Sequence, residues 1–116
     1  MDTIPRTARA DIDELLERTA SADAAVRAAA LRSLCPCHVK RNERRVWDRI
    51  LAMVDDPSPK VRGQVFHMLA DGSPREREGE VVAAIERLQA DPDEPLRRRA
   101  RKLIAQYRRG GRINVL

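Results

Sequence analysis

With 116 residues, 42% of them hydrophobic but only 3% aromatic, the chain can bury one ordinary core and not two, and that core must be aliphatic and alanine-rich, which favours closely packed helices. "MDTIPRTARADIDELL" lacks the apolar segment of a signal peptide and no run nears the roughly 18 apolar residues of a membrane span, so the expectation is a soluble, cytoplasmic protein with no membrane partner. The formal net charge of +5 is uneven: Glu94 to Arg112 carries +7 and the rest −2, a local excess of the kind that steers anionic partners.

In chain order, the first predicted helix spans 5–19, with Ile12 and Leu15 on one face and Asp11, Asp13, Glu14 and Glu17 giving it an acidic character suited to an end cap. Asp23 then reads as the N-cap of a helix over 23–35, because its carboxylate can accept from free first-turn amides. "CPCH" follows, with Pro36 ending that helix. Asn42 is the expected cap of a third helix, 43–55. The stretch "DDPSPKVRG" is a joint: Pro57 stops one helix, Ser58 caps the next and Pro59 takes its first position, where a missing amide hydrogen costs nothing. A fourth helix covers 59–70. Gly72 suits a left-handed helix end, while Ser73 and Glu76 have capping-box spacing with Pro74 opening a fifth helix, 74–90. After Pro92 and the cap Asp93, a sixth helix runs over 94–109. Gly110 and Gly111 end it, and Ile113, Val115 and Leu116 give the tail 110–116 apolar groups that are expected to fold back over the end of the molecule.

Self-similarity organises these elements. "SADAAVRAAALRSL" (21–34), "DPSPKVRGQVFHML" (56–69) and "DPDEPLRRRARKLI" (91–104) align without a gap at a spacing of 35 residues. Val26, Val61 and Leu96 share a column, as do Arg27, Arg62 and Arg97; Ala30, Val65 and Ala100; and Leu34, Leu69 and Ile104. Apolar columns four apart form one stripe of a helix. Ahead of them Ile12, Trp47 and Val82 align, and so do Leu15, Ile50 and Ile85. Each repeat is therefore a helix pair, with repeats at about 5–38, 39–73 and 74–109 of a single domain. Arg101 stands where the earlier repeats have Leu31 and Phe66, a change that faces the terminal repeat towards water.

Asp56, Pro57, Val61 and Arg62, repeated with Leu as Asp91, Pro92, Leu96 and Arg97, resemble HEAT-like repeats of the short bacterial kind. The resemblance covers roughly residues 5–108. It implies an all-α fold, an α-solenoid of three antiparallel helix pairs and six helices. It also implies a ladder of Asp and Arg side chains along the stack, formed by Asp56, Arg62, Asp91 and Arg97. Repeat one has Ser21 in the acidic column, so Arg27 is expected to lack that partner. In the family the second helices line the concave side, which makes their exposed columns the expected working surface.

On that surface Arg32, His67 and Lys102 share a column, and Lys60, Arg98 and Arg99 lie one turn back. Together they form a basic stripe over all three repeats, extended by Arg41, Arg44 and Arg45. Guanidinium forks match oxyanions, so the stripe fits an acidic protein surface, the favoured partner, or the phosphates of a nucleic acid, the alternative. Scarce aromatics argue against single-strand binding by stacking. Cys35, Cys37, His38 and His67 form a candidate Cys2His2 set. Cys35, however, shares its column with Ala70 and Ala105, and Cys-x-Cys is not the usual knuckle, so core packing plus a loop thiol is the preferred reading and no metal is expected. Neither a nucleophile with its base nor a glycine-rich phosphate loop stands out. The expectation is a non-catalytic scaffold with no cofactor and no small-molecule substrate.

Overall fold

The second helix of each pair is started by a side chain in the link before it, and the helices are held by their apolar faces. The computed structural model describes residues 12–34 and 43–110. Residues 12–18 form α1, followed by α2 (Ala24–Ser33), α3 (Arg44–Ala52), α4 (Pro59–Ala70), a 3-10 turn (Arg75–Arg77), α5 (Glu78–Leu88) and α6 (Glu94–Gly110). No strand is present among the described residues.

Three N-caps set the second helices. Asp23 and Ser58 have extended backbones and accept from the amides of Ala25 and Val61, respectively. Asp93 accepts from the Leu96 amide at 3.2 Å. Capping of this kind contributes about 1 kcal/mol per helix. Gly72 adopts φ 89°, a backbone that a β-carbon disfavours, and ends the α4 segment. The expected capping box of Ser73 and Glu76 does not form. Pro74 is extended at ψ 138°, the Ser73 hydroxyl is buried without a hydrogen-bond partner, and the chain enters α5 through the 3-10 turn. Asn42 lies outside the described residues; the residue that caps α3 is Glu43, without a side-chain bond.

The helices stack in two layers. Second helices touch in the order α2, α4, α6, while α3 and α5 pack side by side as first helices, and α3 with α4 and α5 with α6 close the pairs. One core runs between the layers. Trp47, Ile50, Val61, Val65, Met68, Leu69, Ile85, Leu96 and Ile104 are all almost wholly removed from water.

The end repeats differ from the middle one according to which neighbour they lack. In the column of Val26, Val61 and Leu96, the last two are fully buried, but Val26 is 37% exposed. Leu96 is buried in the last repeat, so this column is covered from the preceding repeat, and no helix pair precedes Val26 among the described residues. The opposite flank behaves conversely: Leu31 and Phe66 are buried, whereas Arg101, in the terminal repeat, is exposed. Of the described second helices, α4 alone is buried on both flanks.

Alanine truncations in one column should therefore differ in cost by more than the one carbon by which Leu exceeds Val. Leu96→Ala is expected to destabilise the fold by about 3 kcal/mol, as deletion of a fully buried aliphatic side chain does, and Val26→Ala by less than about 1 kcal/mol. Urea unfolding of both variants measures this difference.

Candidate functional site: a clamped ladder and a basic helix face

The recurring geometry of the joints comes from the arginine that follows each cap by four residues. Arg27, in the first turn of α2, grips Asp56 of the next repeat with Nε to Oδ2 and Nη2 to Oδ1, both at 2.9 Å. Arg62 grips Asp91 in the same way at 2.6 and 3.0 Å. Each pair is 29 residues apart. The third contact goes backwards: Nη1 of Arg27 donates to the Ser21 carbonyl at 2.9 Å, and Nη1 of Arg62 to the Asp56 carbonyl, also at 2.9 Å. Each arginine thus joins its own link to the following one.

This geometry corrects the expectation for Arg27. Its carboxylate partner is supplied by the repeat ahead, so a Ser at position 21 does not cost it that partner. Ser21 keeps the local part of the acidic residue's role, its Oγ accepting from the Asp23 amide at 3.1 Å as Asp56 accepts from Ser58 and Asp91 from Asp93, both at 2.9 Å. Arg97 donates Nη1 to the Asp91 carbonyl at 2.8 Å and meets no carboxylate among the described residues. The equal spacing of Arg27 to Asp56 and Arg62 to Asp91 is the signal from which the forward pairing can be read.

The pairs sit in a desolvated setting, with the Arg62 and Asp91 side chains only 12% and 4% exposed. Burial opposes ionisation of both aspartates. Hydrogen bonds from the arginine and from one backbone amide, with the charges of the neighbouring arginines, outweigh it and hold both carboxyls below their ordinary value. Both arginines are shifted upwards, each by the aspartate it binds.

Outside the ladder, the charges of the two layers separate. Within α2 and α4 there is no acid, and within α6 the only one is Glu94; α5 alone carries Glu78, Glu80 and Glu86. Arg32, Lys60, His67, Arg98, Arg99 and Lys102 are all exposed on the second helices. The structure brings Arg98, Arg99 and Lys102 together with Pro95 around a shallow depression of about 330 Å³ on α6. Arg32 and Lys60 stand apart on α2 and α4, as does His67. The Arg99 guanidinium lies 5.8 Å from the Phe66 ring centroid, a cation–π distance that ties α6 to α4.

A second hollow, of about 550 Å³, lies on the first-helix layer among Arg44, Asp48, Glu76, Arg77 and Glu80. Its central arginine is already engaged: Arg77 Nε donates to Glu80 at 2.8 Å, and Nη1 lies 2.6 Å from Asp48. Glu80 and Asp48 together raise the Arg77 guanidinium further above its ordinary value. Asp48, exposed on α3, thereby bridges the first helices through Arg77, a contact that residue spacing along the chain does not announce. Trp47 is buried beside it, 1% exposed, at the core position expected. Arg41, Cys35, Cys37 and His38 lie outside the described residues, and the described residues contain no group of three or more metal-ligating side chains.

Paired helices in two layers, joined by a repeating inter-link clamp and presenting one acid-poor face, define an α-solenoid. Comparison with protein families matches residues 12–105 to HEAT repeats, and the chain belongs to that family. HEAT repeats generally mediate protein–protein interaction or scaffolding, and the family is typically non-catalytic. No curated protein and no solved structure matches the chain. No helix among the described residues is long and apolar enough to cross a membrane.

The shifts of Asp56 and Asp91 give a pH dependence with a defined sign. A carboxyl held below its unfolded value of about 3.9 stabilises the fold fully above that value and loses this contribution as pH falls through the folded one. The melting temperature gap between the native sequence and Asp91→Asn should be widest from pH 5 to 7, by the unfolded value of about 3.9, and shrink as the pH falls below that value. Thermal melts across this range test it, and a gap independent of pH would contradict it.

Proposed function

We propose that this HEAT-repeat protein is a non-catalytic recognition module that binds an acidic protein surface through the exposed basic side chains of its second helices. The observation that carries the reading is the absence of counter-charge. Arg32, Lys60, His67, Arg98 and Lys102 make no ion pair or hydrogen bond among the described residues, on helices whose only acid is Glu94. Like charges left unpaired along one face raise its potential and accelerate encounter with an acidic partner. The first-helix layer, by contrast, pairs several of its arginines with acids: Arg45 with Asp13 at 2.7 Å, Arg77 with Asp48 and Glu80, and Arg87 with Asp55.

In this role α6 provides the densest contact, with Arg98, Arg99 and Lys102 around one depression, and α2 and α4 widen the footprint through Arg32, Lys60 and His67. The second helices are the ones that the HEAT-like resemblance implies for the concave side, which supports this face as the one used. A nucleic acid would use the same charges, but the face has no exposed aromatic on which a base can stack: Phe66 is buried under Arg99.

Charge reversal tests the face. The combined variant Arg32→Glu, Lys60→Glu and Lys102→Glu is expected to keep the native melting temperature within a few degrees, because all three side chains are exposed, and to lose the proteins that the native sequence retains from its host extract in quantitative mass spectrometry. Retention of the same proteins by the variant would contradict the reading. In parallel, binding to a labelled DNA duplex or RNA that weakens log-linearly with salt, with a slope of about −0.9 per phosphate neutralised on a duplex, would favour nucleic acid instead.

A further inference from the structure

Among the described residues the first and last rungs of the ladder differ. At its N-terminal end Ser21 keeps the backbone bond of the acidic residue and carries no charge for an arginine to meet. At the last rung Arg97 has, among the described residues, only the backward half of the clamp contacts. Nη1 is fixed on the Asp91 carbonyl, as Nη1 of Arg62 is fixed on the Asp56 carbonyl. The edge formed by Nε and Nη2, which in Arg27 and Arg62 grips a carboxylate 29 residues ahead, has no acceptor among the described residues. The side chain is half-buried and is held in place by the same bond as the two filled rungs, so the fork is organised before any partner arrives.

We propose that the free edge of Arg97 is a docking site for an aspartate carried in the pre-helix loop of a different protein. The form of the acceptor follows from the two filled rungs, where each carboxylate is also held by the amide two residues further on. The fork therefore matches an aspartate fixed in such a turn better than an acid on a freely rotating stem. Charge favours the same occupant, since Arg101, Arg108 and Arg109 are exposed on the same helix. A second copy of this chain does not fit: stacked head to tail it would bring Ser21 to Arg97, and its own Asp56 and Asp91 are already clamped. The flank is also unsuited to a continuing apolar core. Arg101 replaces the buried Leu31 and Phe66 and donates Nε to the Gln89 carbonyl at 3.1 Å, which leaves a polar edge suited to a separate, reversible partner. This end site is independent of the basic face proposed above.

The probe is a synthetic peptide copying residues 55–69, which carries Asp56 in its native turn sequence, titrated into the full chain with nitrogen-15-labelled arginine. The Nε–H signal of Arg97 should move saturably, those of Arg27 and Arg62 should stay, and a peptide with Asp56→Asn should bind about tenfold more weakly or worse, as loss of a charge-assisted bidentate contact implies. Arg97→Lys keeps the charge but not the fork and should weaken binding comparably, with its fold checked by circular dichroism. The peptide-side change keeps the test valid if that variant unfolds. Equal affinity of the Asp and Asn peptides, or larger movements at Arg98 and Arg99 than at Arg97, would overturn the proposal. Arg97-dependent self-association in light scattering would overturn it in favour of a second copy.

Discussion

The architecture depends on the one-repeat offset of the arginine clamp. If each arginine paired with the aspartate of its own link, the links would be tied internally and the helix pairs would be held to one another by apolar contact alone, which is non-directional. Because Arg27 takes Asp56 and Arg62 takes Asp91, every link is fastened to the next in a single register. Desolvating such charges is costly, and the cost is met only where geometry is good and the remaining donors and acceptors are filled. Here both carboxylate oxygens, the backbone amide and the backward carbonyl all take part. The pairs therefore specify how the pairs of helices stack as much as they stabilise the stack.

Register in turn decides which residues are left outside. Once α2, α4 and α6 lie side by side with their apolar stripes turned to α3 and α5, the positions of Arg32, Lys60, His67, Arg98 and Lys102 point away from the core. The charge separation between layers follows from the same geometry, with acids gathered on the first helices and bases left alone on the second. The two ends are not equivalent. One exposes Val26 and has Ser21 in the acidic column, while the other buries Leu96, exposes Arg101 and, among the described residues, gives the Nε–Nη2 edge of Arg97 no acceptor.

Local features were legible in the sequence because they depend on neighbours a few residues away. The caps at Asp23, Ser58 and Asp93, the left-handed Gly72 and the span of α4 were all readable from residue type and spacing, and the aliphatic columns followed from a repeat of fixed length. The misreadings arise where tertiary placement decides. Ser73 has the right spacing for a capping box, but the extended Pro74 carries it into the interior. Val26 belongs to a buried column yet lacks the neighbour that would cover it. Arg27 looked unpartnered because its carboxylate stands in the following repeat, a relation that only the stack creates. For the basic face, sequence showed the residue types and their columns; that Arg98, Arg99 and Lys102 share one depression, and that Arg99 lies over Phe66, required the packing of α6 on α4.

The central claim is most directly measured by a double-mutant cycle on the clamp, with Arg62→Ala, Asp91→Ala and the double variant unfolded in urea. Forward pairing predicts a coupling of about 1–3 kcal/mol between Arg62 and Asp91, the range of partners in one hydrogen-bonded ion pair, while Arg27→Ala and Asp91→Ala, which share no contact, should add within about 0.5 kcal/mol. A coupling between Arg62 and Asp91 no larger than that between Arg27 and Asp91 would contradict the account.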